Sequence, residues 1–257
     1  MLKKRLVPKL LIRTDLNRSS FNSYISKGYD RYSVTGRADK QAQILCDNKA
    51  DEIMFIDLNN RQDIDLKSYL LRVENMIEGL VTPISFAGNI RTIKHGTELI
   101  RVGIEKIAVP YSHTEQFKEF CEQISNTFGR QALQVVLDYK KVDETYQLRL
   151  LEKKLTIDEI RIIISDIEKV GAGELHLFDL DADGKRNGLD LKTIDLIREQ
   201  TTLPIMVSGG AGSPEDFVNA FNMGADAVAS GTYFAKMDNS LLQLRSRIWN
   251  SGISIRH

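Results

Sequence analysis

Two stretches of this chain carry glycines at the spacing an anion needs. Val207-Ser208-Gly209-Gly210-Ala211-Gly212 and Gly224-Ala225-Asp226-Ala227-Val228-Ala229-Ser230-Gly231 each run from apolar residues into small ones, then into a helix-like segment. After the first, Ser213-Pro214-Glu215-Asp216 is a helix N-terminal signature with proline just inside the start. Glycines at a strand-to-helix turn let main-chain N–H groups approach an anion, and the following helix adds its positive end. The chemistry this suggests is phosphate binding. One Gly pair alone would more often be a plain tight turn; two consecutive turns of this kind argue for a cradle.

Carboxylates supply the second chemistry. Asp57, Asp138 and the run Asp179, Asp181, Asp183 all end apolar stretches, where a carboxylate can hold or move a proton. Asp183 leads directly into Gly184. The D-x-D-x-D-G run resembles the start of a calcium loop, but Leu189 or Asp190 stands where the closing Glu belongs, so no calcium is expected. His95, His113, His176 and His257 show no metal-ligand spacing, and neither a metal nor a cofactor is expected.

The elements that must position these residues recur along the chain. Apolar runs at Leu6 to Ile12, Glu52 to Asp57, Pro83 to Phe86, Lys106 to Val109, Leu133 to Asp138, Glu174 to Leu180, Pro204 to Val207 and Ala225 to Ala229 are each followed by helical spacing. Eight such alternations predict an α/β chain closed as a single (β/α)8 barrel over residues 1–257. A doubly wound open sheet is the alternative, against which no G-x-G-x-x-G follows the first strand. Pro83 and Pro204, Gly88 and Gly209, Gly103 and Gly224, and Ala108 and Ala229 are each 121 residues apart, so two half-barrels in tandem are predicted.

On the first strand, alternation puts Arg5, Val7, Lys9 and Leu11 on the inward face. An inward lysine needs a carboxylate partner, and Asp57 is the expected one. Arg13 to Thr35, which includes Arg18 and Tyr29, reads as a mobile rim loop, and Lys140 to Thr156 as a possible hairpin. The 257 residues carry Lys+Arg 35 against Asp+Glu 35, so no net field recruits nucleic acid or an anionic membrane surface. Cys46 and Cys121 form no disulfide framework, which favours a reducing cytoplasm, and the basic start is broken by Lys9 and Pro8 before it could serve as a signal or a membrane span.

Essentially the whole chain resembles the cyclase subunit of imidazole glycerol phosphate synthase, the HisF family. The motifs are Met1-Leu2-x-Lys4-Arg5, Asp51-Glu52-x-x-Phe55-x-Asp57, Phe128-Gly129-x-Gln131-Ala132, Gly171-Ala172-Gly173-Glu174, Asp181-x-Asp183-Gly184, Leu203-Pro204-Ile205, Ser208-Gly209-Gly210-Ala211-Gly212 and Gly224-Ala225-Asp226-Ala227. The resemblance implies a half-barrel-repeat TIM barrel that receives ammonia from a glutaminase (HisH-like) partner. It assigns an ammonia gate to Arg5, Glu52, Lys106 and Glu174, and a partner-facing position to Glu105. It assigns catalytic roles to Asp138 and Asp183, and phosphate binding to Gly184, Gly209, Gly210, Ser230 and Gly231.

The chain departs from that pattern at the top of the barrel. Leu11 stands where the family carries its first catalytic aspartate, Ala87-Gly88 replaces a Gly pair, and Pro110-Tyr111 replaces an Asn-Thr pair. Proline at 110 removes an N–H donor. The losses make the chain similar to HisF-like paralogues of surface-polysaccharide systems, where ammonia is supplied for amidine formation on a sugar or sugar nucleotide with a third, sugar-amidating enzyme. Ordinary cyclisation in histidine synthesis and a non-catalytic scaffold that activates a glutaminase are the competing expectations.

Overall fold

A computed structural model describes residues 3–14, 20–27, 31–59, 65–90, 92–151, 153–236 and 241–256. Met1, Leu2, Arg18, Tyr29 and His257 lie outside the described residues. The first half runs β1 (Arg5–Thr14), β2 (Phe21–Lys27), β3 (Arg31–Arg37), α1 (Ala38–Asp47), β4 (Ile53–Asp57), α2 (Leu66–Ile77), β5 (Ile84–Ala87), α3 (Ile93–Arg101), β6 (Lys106–Pro110) and α4 (Glu115–Phe128). The second half runs β7 (Leu133–Val142), β8 (Thr145–Leu148), β9 (Lys154–Leu155), α5 (Ile157–Lys169), β10 (Glu174–Asp179), α6 (Leu191–Arg198), β11 (Ile205–Ser208), α7 (Pro214–Asn222), β12 (Ala227–Ser230), α8 (Thr232–Lys236) and α9 (Leu241–Asn250).

Parallel pairing runs β1, β4, β5, β6, β7, β10, β11, β12 and returns to β1, so the expected (β/α)8 barrel closes. Alternation along each strand sorts side chains into two cores. Leu6, Leu10 and Ile12 of β1 face the helices, whereas Val7 and Leu11 join Met54, Ile56, Ala108, Val136, Phe178 and Met206 inside the barrel. The helices follow from local signals. In α5, Thr156 and Glu159 form a reciprocal capping box, and Ile160, Ile163, Ile164 and Ile167 fall on one buried stripe.

The two halves superpose in register. Ile53 pairs with Ile84 as Leu175 pairs with Ile205, and Ser85 pairs with Lys106 as Met206 pairs with Ala227. Gly88 and Gly209 share one constraint. Their φ values are +88 and +98, and a Cβ on either would lie 2.3 or 2.2 Å from the carbonyl oxygen of Asp57 or Asp179. Glycine there lets the strand end and its loop touch the neighbouring strand end.

The rim differs from the expected mobile loop over Arg13 to Thr35. Strand β1 continues to Thr14, and β2 and β3 pair antiparallel as a ribbon from Asn22↔Arg37 to Lys27↔Arg31. Arg13 helps hold it, with its guanidinium carbon 5.7 Å from the Tyr24 ring centre and 5.6 Å from that of Tyr32. Tyr32 and Val34 alternate with Arg31, Ser33 and Thr35 in β3, a short period-2 pattern that a loop assignment overlooks, whereas β2 carries no such alternation. The hairpin anticipated in Lys140 to Thr156 is present as β7 with β8, extended by β9.

Replacing Gly209 with alanine therefore forces both a strained φ and a clash with backbone. A thermal or urea unfolding comparison with Gly79→Ala separates the two effects, because Gly79 also has positive φ but has nothing within 4 Å of its missing Cβ. The expected losses are about 3 kcal/mol or more at 209 and about 1 kcal/mol at 79.

Candidate functional site

The floor of the barrel is a closed circuit of four charges. Arg5 at the start of β1 donates one guanidinium nitrogen to Glu52 and the other to Glu174. Lys106 at the start of β6 donates to Glu52 at 3.1 Å and to Glu174 at 2.6 Å. Each cation thus touches both anions. Burial is the largest influence on Glu174 and pushes its carboxyl up, but the charges of Lys106 and Arg5 together outweigh it and hold the group low, at about 2. On Arg5, burial acts to lower the pKa, and the opposing pull of Glu174 and Glu52 leaves it raised. The gate residues assigned from the resemblance are therefore brought together.

One pleat above the floor lies a cavity of about 600 Å³, opening toward the C-terminal rim of the first half. Its deepest side chains, Met54, Ala108 and His176, each follow a ring residue by two positions along the chain. Its upper wall includes Asn59, Asn89, Pro110, Asp138, Arg149, Leu150 and Phe178. Apolar side chains make most of the lining.

Asp138 is 3% exposed at this wall. Burial raises its pKa, opposed by Arg149, whose Nε lies 2.5 Å from Asp138 Oδ2. Burial thus holds this carboxyl above the ordinary aspartate value, where it takes up a proton more readily. Register places Leu11 at the equivalent point of the other half, since Leu11 pairs with Ile56 as Asp138 pairs with Phe178. A carboxylate in one half thus corresponds to an alkyl side chain in the other.

Asp183 does not line the cavity. Its Oδ1 accepts from Lys9 Nζ at 2.9 Å and its Oδ2 from the Ser26 hydroxyl on the ribbon, with all three residues buried. This corrects the expected Lys9–Asp57 pair. Asp57 instead accepts from Tyr69 Oη at 2.9 Å and from the Asn59 side chain at 2.6 Å. Register explains the change: inward Lys9 pairs with Met54, whereas Asp57 follows inward Ile56 and alternates outward, toward α2. Lys9 also lies 4.1 Å from the Phe178 ring centre.

At the second half's strand ends, Gly209 and Gly210 follow β11, and Ser230 closes β12 with Gly231 next. Asp216 accepts the N–H groups of Gly212 and Ser213, both at 2.8 Å. Gly184 abuts the ribbon, where its Cβ would lie 2.0 Å from Ser26 O. In the first half, Asn89 occupies the place of Gly210, with φ +57, and its side chain donates to Asn59 O at 2.5 Å.

Two residues of the site escaped sequence reasoning. Arg149 reaches Asp138 from the hairpin, and nothing in its local pattern marks it. His176 could have been found, because alternation from Glu174 turns it inward. Its Nε2 lies 2.8 Å from Ser208 Oγ, and burial first, then the positive charge of Lys9, pulls its pKa down to about 3. Among the described residues no group of three His, Cys, Asp or Glu side chains is placed to hold a metal. No helix among them is long and apolar enough to cross a membrane.

The depressed pKa of His176 predicts a pH signature of folding. Its stabilising contribution is complete above the ordinary value of 6.5 and is lost as pH falls toward about 3. Urea unfolding of a His176→Asn variant should show a shallower loss between pH 6.5 and 4.5, by about 2–3 kcal/mol. Parallel curves for variant and parent would contradict it.

A family model described as "Histidine biosynthesis protein" matches residues 22–239. The chain is 32% identical to "Putative imidazole glycerol phosphate synthase subunit hisF2" of Prochlorococcus marinus (strain MIT 9313), over all of this chain and 99% of that one. It is 33% identical to "Imidazole glycerol phosphate synthase subunit HisF" of Thermotoga sp. (strain RQ2), over 80% of this chain and 81% of the relative. A Campylobacter jejuni protein with the same printed name as the first is 25% identical over the full chain. With these matches spanning the barrel, the chain belongs to the HisF family, as a divergent paralogue.

Proposed function

We propose that this protein is a HisF-like synthase subunit that receives ammonia from a glutaminase partner and delivers it through the barrel to an acceptor at the rim. The observation that carries the reading is the stacking of a closed, neutral ring of charges one pleat below a cavity that holds a buried carboxylate. A sealed floor alone would serve any barrel. A sealed floor backed by a polar-walled chamber suits a gate, because the ring can open by one arm while the other three charges stay paired.

The docking side for the glutaminase is the floor. A groove of about 530 Å³ runs beside the ends of α2 and the starts of β5 and β6, with Val81 88% exposed and Glu74, Glu78 and Glu105 on its walls. At the other end, ammonia adds its lone pair to the carbon of an acyl group that the third enzyme has activated on its oxygen, and Asp138 takes a proton from the incoming nitrogen. The bond from that carbon to the activated oxygen breaks, the oxygen leaving with its activating group as the amidine C=N bond forms. The Gly209–Gly210 and Ser230–Gly231 turns, with Gly184 nearby, hold one phosphate or pyrophosphate of that acceptor, while Asp183 stays in its buried contact with Lys9 and Ser26. The acceptor is a sugar or sugar nucleotide of surface-polysaccharide synthesis, and the product is an amidine formed with a third enzyme.

Leu11 and Asn89 favour this reading over cyclisation in histidine synthesis. That reaction, as the family resemblance frames it, uses two opposed aspartates and two glycine-built cradles, whereas here each pair has one member changed. Supplying ammonium chloride and the histidine-pathway substrate should give no imidazole glycerol phosphate above background, and substantial turnover would overturn the proposal. A second measurement addresses the scaffold reading. Asp138→Asn should leave glutaminase activation within about twofold while lowering nitrogen transfer about 100-fold or more. Full nitrogen transfer in that variant would mean that the chemistry lies in another protein.

A further inference from the structure

Three buried polar atoms inside the barrel make no hydrogen bond to another described residue: Ser85 Oγ, Gln134 Oε1 and His176 Nδ1. Their residues are no more than 1% exposed. A buried polar atom left unmet is costly, so three in one region point to an occupant. Their shared location follows from register. Ser85 lies between Met54 on β4 and Lys106 on β6, and Gln134 between Ala108 on β6 and Glu174 on β10. His176 is the next inward residue above Glu174. Ser85 and Gln134 thus stand between the charged floor and the base of the cavity, and His176 forms part of that base.

We infer that Ser85, Gln134 and His176 form a station that binds one neutral ammonia molecule between the floor ring and the cavity. This rests on the ammonia-conducting reading above and names the residues that would hold the cargo inside the barrel. Ammonia has three N–H donors and one lone pair, and the three atoms match that mixture. Gln134 Oε1 can only accept, while Ser85 Oγ can do both. His176 Nδ1 donates or accepts according to its tautomer, because Nε2 is engaged with Ser208. The amide of Gln134 is oriented by its nitrogen, which donates to Glu174 Oε2 at 2.8 Å and touches Met206 Sδ at 3.6 Å.

The surroundings select the uncharged form. Lys9 above and Lys106 below both act on His176 as positive charges, and Glu174 opposes them. Ammonium would lose its water there with no carboxylate left over among the described residues to meet it, since Glu52 and Glu174 are bound by Arg5 and Lys106, and Asp183 by Lys9. The imidazole itself stays neutral, so it neither repels ammonia nor gives it a proton. A hydrophobic side chain at 176 would leave the two lower atoms with no counterpart at the cavity end.

Nitrogen-15 NMR of the histidine rings in the full-length protein tests the station with ammonium chloride as the probe. At fixed total ammonium, raising the pH from 7 to 9 increases the ammonia fraction, and matched potassium chloride samples remove the effect of pH alone. The His176 signals, assigned by their loss in His176→Gln, should move with ammonia and not with potassium chloride. Gln134→Leu should weaken the apparent affinity about fivefold, as removal of one hydrogen bond implies. Identical His176 signals in the two salts would mean that the atoms serve water only, and would overturn the station. Glutamine hydrolysis by the glutaminase, measured with and without this chain, reports separately on the larger reading: stimulation without an NMR response rejects the station alone. An NMR response without stimulation supports the station and rejects glutaminase coupling.

Discussion

The barrel depends on a charge circuit that has to close. Four ionised side chains at a dry floor would each cost several kcal/mol if left single, and their mutual attraction offsets that cost only when every charge is met. Arg5 and Lys106 achieve this by each bridging Glu52 and Glu174. Because the four come from β1, the approach to β4, β6 and β10, the circuit also fixes the height of those strands relative to one another. The position of the cavity floor follows, since Met54, Ala108 and His176 are carried by the same strands.

Above the floor, the two halves keep one backbone and diverge in side chains. Asp138 and Leu11 occupy equivalent points, as do Gly210 and Asn89. The backbone demand at Asn89 persists, for its φ is positive like that of Gly210, and asparagine is among the side chains that tolerate that region. What is lost is space. An amide now occupies the turn and bonds to Asn59, so the first half presents side-chain groups where the second presents main chain. The large cavity lies on the altered side, walled by apolar residues and the Asp138–Arg149 pair.

Most of the fold was legible because its signals are periodic. The spacing of 121 residues between Pro83 and Pro204 and between Gly88 and Gly209 reflects strands that pair identically in both halves, and the inward set Arg5, Val7, Lys9, Leu11 follows from alternation alone. Long-range choices were less legible. Lys9 could have reached any nearby carboxylate, and only three-dimensional placement separates Asp183 from Asp57, which alternation turns toward Tyr69. Arg149 belongs to a hairpin whose reach over the rim has no local code. The ribbon of β2 and β3 was misread because the only alternation is the short one of Tyr32 and Val34 in β3, and β2 has none.

The absence of one methyl group at Gly184 has a mechanical consequence. Its α-carbon sits against the carbonyl of Ser26, and the hydroxyl of that same serine holds the neighbouring Asp183. The ribbon tip and the segment after β10 are thereby fastened at two adjacent points, like a buckle and its strap. Neither part can lift without breaking contact at both, and any such lifting would let solvent reach an otherwise sheltered ammonium–carboxylate contact.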